Sequence, residues 1–216
     1  MVRQSKPLVG AIEDAVADDQ LRPLLNAAVE GDPSAAAALV AQVGGSMLAV
    51  IRRVLGSDHN DIQDVAQEAT IALLRALSTF RQECRVVYFA NRIALVTALD
   101  LRRRLRSRGR WWDFGERNLE TIADDGSSPL TTIVRSRRRA LVRQLIGELP
   151  TVIGETVAAY FLLDQTVEEI AAMFSASPNT VRSRLRLGKK ALREKVQHNP
   201  HLTEMLEVSE EKAAPE

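Results

Sequence analysis

Apolar residues recur along most of this chain every three to four positions, the spacing that lines one face of an α-helix. Ile62, Val65, Ala66, Ala69, Leu73 and Leu77 form one such stripe, with Asp58 or Asn60 placed to cap its start. Before it, the segment from Ser34 to Leu55 reads as a helix entered through Gly31-Asp32-Pro33, where Asp32 caps and Pro33 takes the first helical position. Gly56 is suited to end that helix. An earlier helix starts near Leu21, and a later one runs from Ala90 to Arg106. Further on, Val167, Ile170, Ala171 and Phe174 share a face, and Val181, Leu185 and Leu192 share another. No strand-like alternation persists anywhere, so the expected fold class is all-α.

Residues 107–132 interrupt the pattern with glycine, Asp-Asp-Gly, Ser-Ser-Pro and both tryptophans. They read as a linker between two small helical domains, 21–106 and 133–196. An N-terminal extension over 1–20 and an acidic tail over 197–216 flank the pair. The Trp111-Trp112-Asp113-Phe114 cluster in the linker is expected to dock, preferably onto the protein itself.

Within the second domain, Thr166 to Arg193 reads as a helix-turn-helix. Ser175-Ala176-Ser177 makes the connection, Ser177 is a good N-cap, and Pro178 suits the first position of the second helix. With Val181 and Leu185 turned inward, Asn179, Thr180, Arg182, Ser183 and Arg186 lie at the start and along the outer side. A DNA-recognition helix presents its N-terminal residues to base edges, where Arg and Asn can bind bidentately. The plainer alternative is a helical hairpin with a solvated basic face. Caps, turn length and charge placement together favour the DNA reader.

A net charge of +1 would argue against nucleic acid if it were evenly spread. It is not. Basic runs occur at Arg102, Arg103, Arg104, Arg106, Arg108 and Arg110, then from Arg135 to Arg143, then from Arg182 to Lys195. Acid collects at both ends of the chain, and phosphate contact requires a basic face rather than a basic total. Cys84 is alone, which rules out an internal disulfide and suits a reducing cytoplasm. No apolar run is expected to approach the ~18 residues of a membrane span, so no membrane insertion is expected. Enzyme signatures are missing: no Gly-rich phosphate loop, no His-Glu metal helix, no paired cysteines. His198, His201 and Glu204 have helical spacing but make a poor metal site, which would also need a shaped cavity. The expectation is a cytoplasmic protein with neither catalysis, cofactor nor metal.

Taken in order, the two blocks resemble a bacterial RNA polymerase sigma factor of the extracytoplasmic-function type, from about Leu21 to Val196. AAVEGDPSAAAALV is similar to that family's opening helix pair. DIQDVAQEATIALLRALSTFR resembles the acidic segment used against the polymerase clamp, which implies polymerase-binding roles for Asp61, Asp64, Gln67 and Glu68. Spacing alone puts Asp61, Asp64 and Glu68 on one helix face, suited to a basic or polar groove on a partner. ANRIALVTALDLRRR resembles the helix that engages the minus-ten promoter element, which implies DNA-binding roles for Val96, Asp100, Arg102, Arg103 and Arg104. Tyr88 and Phe89 are candidates for lining a site for unstacked bases, or for core. Leu149-Pro150 opens the second block, and EEIAAMFSASPNTVRSRL resembles the reader of the minus-thirty-five element.

The chain departs from the family at several positions. Ala36, Val40 and Val43 stand where aromatics are usual, Phe89 where Trp is common, and Val96 where Asn is common. Gly154 replaces a frequent Arg, and Asp164-Gln165 replaces a Gly-Leu turn. The resemblance implies core RNA polymerase and promoter DNA as partners, an anti-sigma factor as a candidate regulator, and no cofactor. Two competing readings are a stand-alone helix-turn-helix activator and a sigma mimic that sequesters an anti-sigma protein. The Asp61–Glu68 block argues against the first, and the retained arginines against the second.

Overall fold

The computed structural model describes residues 21–80, 84–107 and 129–198, with side chains from 138 onward in the last stretch. Helix α1 covers 21–29, and α2 runs Pro33–Leu55. Helix α3 spans Ile62–Ala76, with a 3₁₀ turn at Leu77–Thr79, and α4 spans Val86–Ser107. Then come α5 at Pro129–Gly147, α6 at Thr151–Phe161, α7 at Val167–Met173 and α8 at Pro178–Gln197. No strand occurs among the described residues. The extension, the tryptophan cluster, His201 and Glu204 lie outside them.

Local chemistry sets most of these boundaries. Asp32 Oδ1 accepts the Ser34 N–H at 2.8 Å, and Pro33 opens α2 as expected. Gly56 ends α2 at φ 108°, a left-handed value that glycine adopts without strain. The cap of α3 differs from the expectation: neither Asp58 nor Asn60 supplies it. Asp61 occupies the N-cap position without a side-chain cap bond, and its N–H donates to His59 Nδ1 at 3.1 Å. Helix α4 begins at Val86 rather than Ala90, because apolar Val86 turns into the core. Helix α5 begins at Pro129 rather than Ile133, since proline fits the first turn of a helix.

Leu39, Ile51, Leu73, Leu95 and Leu99 centre the first bundle, and Ile146, Val157, Ile170, Met173 and Val181 the second. The two form one continuous core, because α4 packs on α2 and α3 and also on α6 and α7. The small core residues at the family's aromatic positions are accommodated; Val43, for instance, is fully buried. One sequence expectation fails here. Helix α2 carries no charge between Pro33 and Ile51, and is long and apolar enough to cross a membrane. Alanine and glycine dilute the run in the sequence, and its stripe of Leu39, Val43, Met47 and Ile51 is core.

The helix-turn-helix is held by reciprocal caps. Thr166 and Glu169 form a capping box at α7, and Ser177 Oγ accepts the Thr180 N–H at 3.1 Å at α8. Between the helices the Ala176 N–H reaches Ala171 O at 2.9 Å and the Ser175 N–H reaches Ala172 O at 3.3 Å. This is a Schellman end, with Ser175 at φ 48° in the position glycine favours. Ser175→Gly is therefore expected to stabilise the fold by about 0.5–1 kcal/mol, the left-handed cost being partly offset by glycine's entropy. Thermal unfolding should show a rise of a few degrees; a fall would mean that Ser175 is not strained.

Helix α8 crosses α6 at Gly188, which is buried. A Cβ there would overlap Val157 Cγ2 and come within 3.1 Å of Ile153 Cγ2.

Candidate functional site

On α3, Asp64, Gln67 and Glu68 are exposed on the face opposite Ile62, Val65, Ala69 and Leu73. That face continues into Ile71 and Leu74, each 42% exposed. Carboxylates beside uncovered aliphatics make a docking face that combines charge steering with apolar burial. The apolar pair was readable in the sequence, being what the core stripe leaves over. Glu68 is not free: both its oxygens accept from Arg104 Nη2, at 3.0 and 3.2 Å. Both side chains are half exposed, so the pair contributes well under ~1 kcal/mol and a partner can displace it.

The Arg102-Arg103-Arg104 run, expected on DNA as a unit, points three ways. Neighbours on a helix lie about 100° apart and cannot share a face. Arg102 turns inward, and its Nη1 donates to Val54 O at 3.0 Å. Burial, and then neighbouring Arg143, lowers its pKa to about 10. Arg143 of α5 reaches the same helix end, with Nε donating to Arg53 O at 3.0 Å. The last carbonyls of α2 lack intrahelical donors and carry partial negative charge, which draws both guanidiniums. The expected phosphate contact of Arg102 thus gives way to an anchoring one. Arg103 donates to Asp100 Oδ1 at 2.6 Å and to Thr151 O of α6 at 3.4 Å. Only Arg104 turns toward the acidic face. Val96 is partly buried and Asp100 exposed.

Further contacts join the two halves. The Tyr88 hydroxyl donates to Glu169 Oε1 at 2.8 Å, while Glu169 Oε2 accepts the Thr166 N–H of the capping box. The Arg92 guanidinium lies 5.4 Å from the Phe174 ring centre. Phe89 stacks on Phe80 at 4.3 Å, so it belongs to packing, whereas Tyr88 belongs to the seam. Glu155 sits in the same seam, and burial raises its pKa against the pull of Arg103, Arg92 and Arg184.

His59 is buried, and its pKa falls below 6.5 chiefly through burial, with Asp61 opposing and Arg102 reinforcing. The unfolded chain takes up a proton near 6.5 that the folded one refuses. His59 therefore supports the fold fully above that pH, and the support erodes as pH falls below it. Glu155 acts in the opposite direction and only near the carboxylate range, since its raised value favours folding as pH falls. Between pH 7 and 5, His59→Asn, which can still accept the Asp61 N–H, is expected to lose less stability than the parent. Urea midpoints at stepped pH check this, and parallel losses would contradict it.

On α8, Asn179, Thr180, Arg182, Ser183 and Arg186 are all exposed, while Val181, Leu185 and Gly188 are buried. Arg182 is held by Asn179 Oδ1 at 3.2 Å and Glu168 Oε1 at 3.3 Å, an exposed and replaceable arrangement. No group of three or more metal-ligating side chains occurs among the described residues.

The chain matches the family model of Sigma-70 region 2 over residues 39–108 and that of Sigma-70, region 4 over residues 139–192. It is 30% identical to the RNA polymerase sigma-H factor of Pseudomonas aeruginosa over 182 residues, 81% of this chain and 92% of that one. It is 29% identical to the ECF RNA polymerase sigma-E factor of Escherichia coli over 173 residues, 78% of this chain and 90% of that one. Among solved structures it is similar to CnrH in complex with the cytosolic domain of CnrY. That match has 23% identity and a TM-score of 0.49, covering 85% of this chain and 99% of that one.

Proposed function

Because this chain belongs to the sigma-70 family, as a divergent member of its extracytoplasmic-function group, it binds core RNA polymerase and directs it to promoters; we propose how its surfaces divide that work. The outer face of α3 docks on polymerase through Asp64, Gln67 and Glu68, with Asp61 at one end and Ile71 and Leu74 at the other. Helix α4 meets the minus-ten element through Val96, Asp100, Arg103 and Arg104, and Arg102 holds that helix to α2. The start of α8 reads the minus-thirty-five element through Asn179, Thr180, Arg182, Ser183 and Arg186. Residues 21–106 and 133–196 are the two working units, joined by 107–132. The chemistry of transcription is polymerase's; this chain acts beside it in the cytoplasm, without a cofactor, and is open to control by an anti-sigma factor.

The observation that best supports this division is that all five α8 residues are exposed together on a helix whose start is capped by Ser177. Arg182, nearer the N-terminus, is assigned to a base edge and Arg186 to phosphate. Arg182→Ala is expected to lose about 1–3 kcal/mol on the preferred sequence and to relax choice at one position. Arg186→Ala should weaken all sequences alike and flatten the salt dependence by about one unit of slope. Holoenzyme binding to base-substituted minus-thirty-five elements at several salt concentrations separates the two. No change from either replacement would mean that α8 does not face DNA.

A further inference from the structure

Two adjacent glutamates open α7, and helical rotation of about 100° per residue turns them apart. Glu169 is taken up by the capping box and by Tyr88. Glu168 is exposed and reaches across the turn to α8, where its Oε1 accepts from Arg182 Nη2 at 3.3 Å. Within α8, Asn179 Oδ1 accepts from Arg182 Nη1 at 3.2 Å. Each terminal nitrogen of the guanidinium is thus held by one acceptor, one from each helix of the helix-turn-helix.

The two bonds fix a direction without using up the side chain. A guanidinium carries about five N–H donors in a plane, so roughly three are left. A bidentate contact to a base edge takes two, and Arg182 can make it while keeping both partners. An arginine already held also has less rotamer freedom to lose on docking. In the free chain the pair is exposed and weak. DNA laid over it removes water, and the lower local dielectric strengthens it there.

Glu168 has a second effect. A carboxylate on this side of the domain repels phosphates on every sequence, whereas the base contact that it helps Arg182 to make is formed on the matching sequence alone. Attraction to one site and repulsion from all sites together widen the difference between right and wrong sequences.

Resting on the assignment of α8 to the minus-thirty-five element, we propose that Glu168 is a positioning residue for base choice. With Asn179 it aims Arg182, so part of the specificity expressed by α8 is encoded on α7.

Holoenzyme binding to minus-thirty-five elements substituted one base pair at a time tests this. Arg182→Ala first locates the pair that Arg182 reads. At that pair, Glu168→Ala is expected to reduce discrimination about two- to fivefold, with binding to mismatched sequences unchanged or tighter. Glu168→Gln, whose amide oxygen can still accept from Nη2, should restore part of the discrimination. In an Arg182→Ala background, Glu168→Ala should alter base choice no further. A lower Tm with base choice intact would confine Glu168 to the α7 dipole and overturn the proposal. So would an equal change on all sequences, and both results leave the α8 assignment standing. If Arg182→Ala alters no base preference, the assignment of Arg182 fails and the proposal falls with it.

Discussion

Replacing Asp64 and Glu68 together by lysine is expected to cut affinity for core RNA polymerase by roughly thirty-fold to several-thousand-fold, the equivalent of about 2–5 kcal/mol. Both carboxylates stand on the exposed face of α3, and Ile71 and Leu74 carry that face onward. The size of the loss has two sources. The attraction to a basic groove reverses sign, and Arg104, now facing lysine at position 68, loses its partner and adds a like charge. Folding should be nearly untouched, because the Glu68–Arg104 pair is half exposed. Titration of core polymerase with the variant, with helicity checked by circular dichroism, decides the matter. An unchanged affinity would remove α3 from the polymerase interface. A loss confined to the Ile71→Ser chain would shift the weight from charge to apolar burial.

Substitution of Gly188 should produce the largest loss of stability for the fewest atoms. A methyl group there enters the α6–α8 crossing, overlapping Val157 Cγ2 and crowding Ile153 Cγ2. Both neighbours are β-branched, with little rotamer freedom to retreat. Overpacking of this kind costs about 1–3 kcal/mol, while alanine returns up to ~1 kcal/mol of helix propensity. Gly188→Ala is thus expected to lose about 1–2 kcal/mol, a fall of roughly 2–8 °C in Tm for a packed body of this size. Gly188→Leu should prevent α8 from packing and abolish promoter binding with it. A Tm that is unchanged or raised in Gly188→Ala would show that the two helices sit farther apart than this crossing requires.

What could be read in the sequence follows from what periodicity encodes. The buried stripes of α3 and α8, the caps at Asp32 and Ser177, and the turn between α7 and α8 are local events written in adjacent residues. The arginine run is the opposite case. Its composition suggested one basic patch, but helical rotation sends Arg102 to the end of α2, Arg103 to α6 and Arg104 to Glu68. Only the fold supplies those targets. A lone histidine before a helix gives no sign that its ring will accept a backbone N–H, as His59 does. Gly188 did leave a trace, as an isolated glycine inside an unbroken helical pattern, which commonly marks close helix approach. Glu169 reads as half of a capping box; its second bond, to Tyr88 some eighty residues away, is tertiary and left no mark in the sequence.

The contacts that bind the two halves also impose a limit of length. A packed body of roughly 170 residues has a radius of gyration near 15 Å and is about 40 Å across. Two promoter elements about 25 base pairs apart lie some 85 Å from each other along the duplex at 3.4 Å per pair. If α4 and α8 take the two elements as proposed, the closed chain cannot hold both at once. Reading them together requires the Tyr88–Glu169 and Arg143–Arg53 bonds to open. The 22 peptide steps from Ser107 to Pro129 can stretch to about 70 Å, which with the two bodies is reach enough. On the proposed division of labour the seam is a clasp, closed in the packed chain and undone where polymerase and promoter hold its two ends apart.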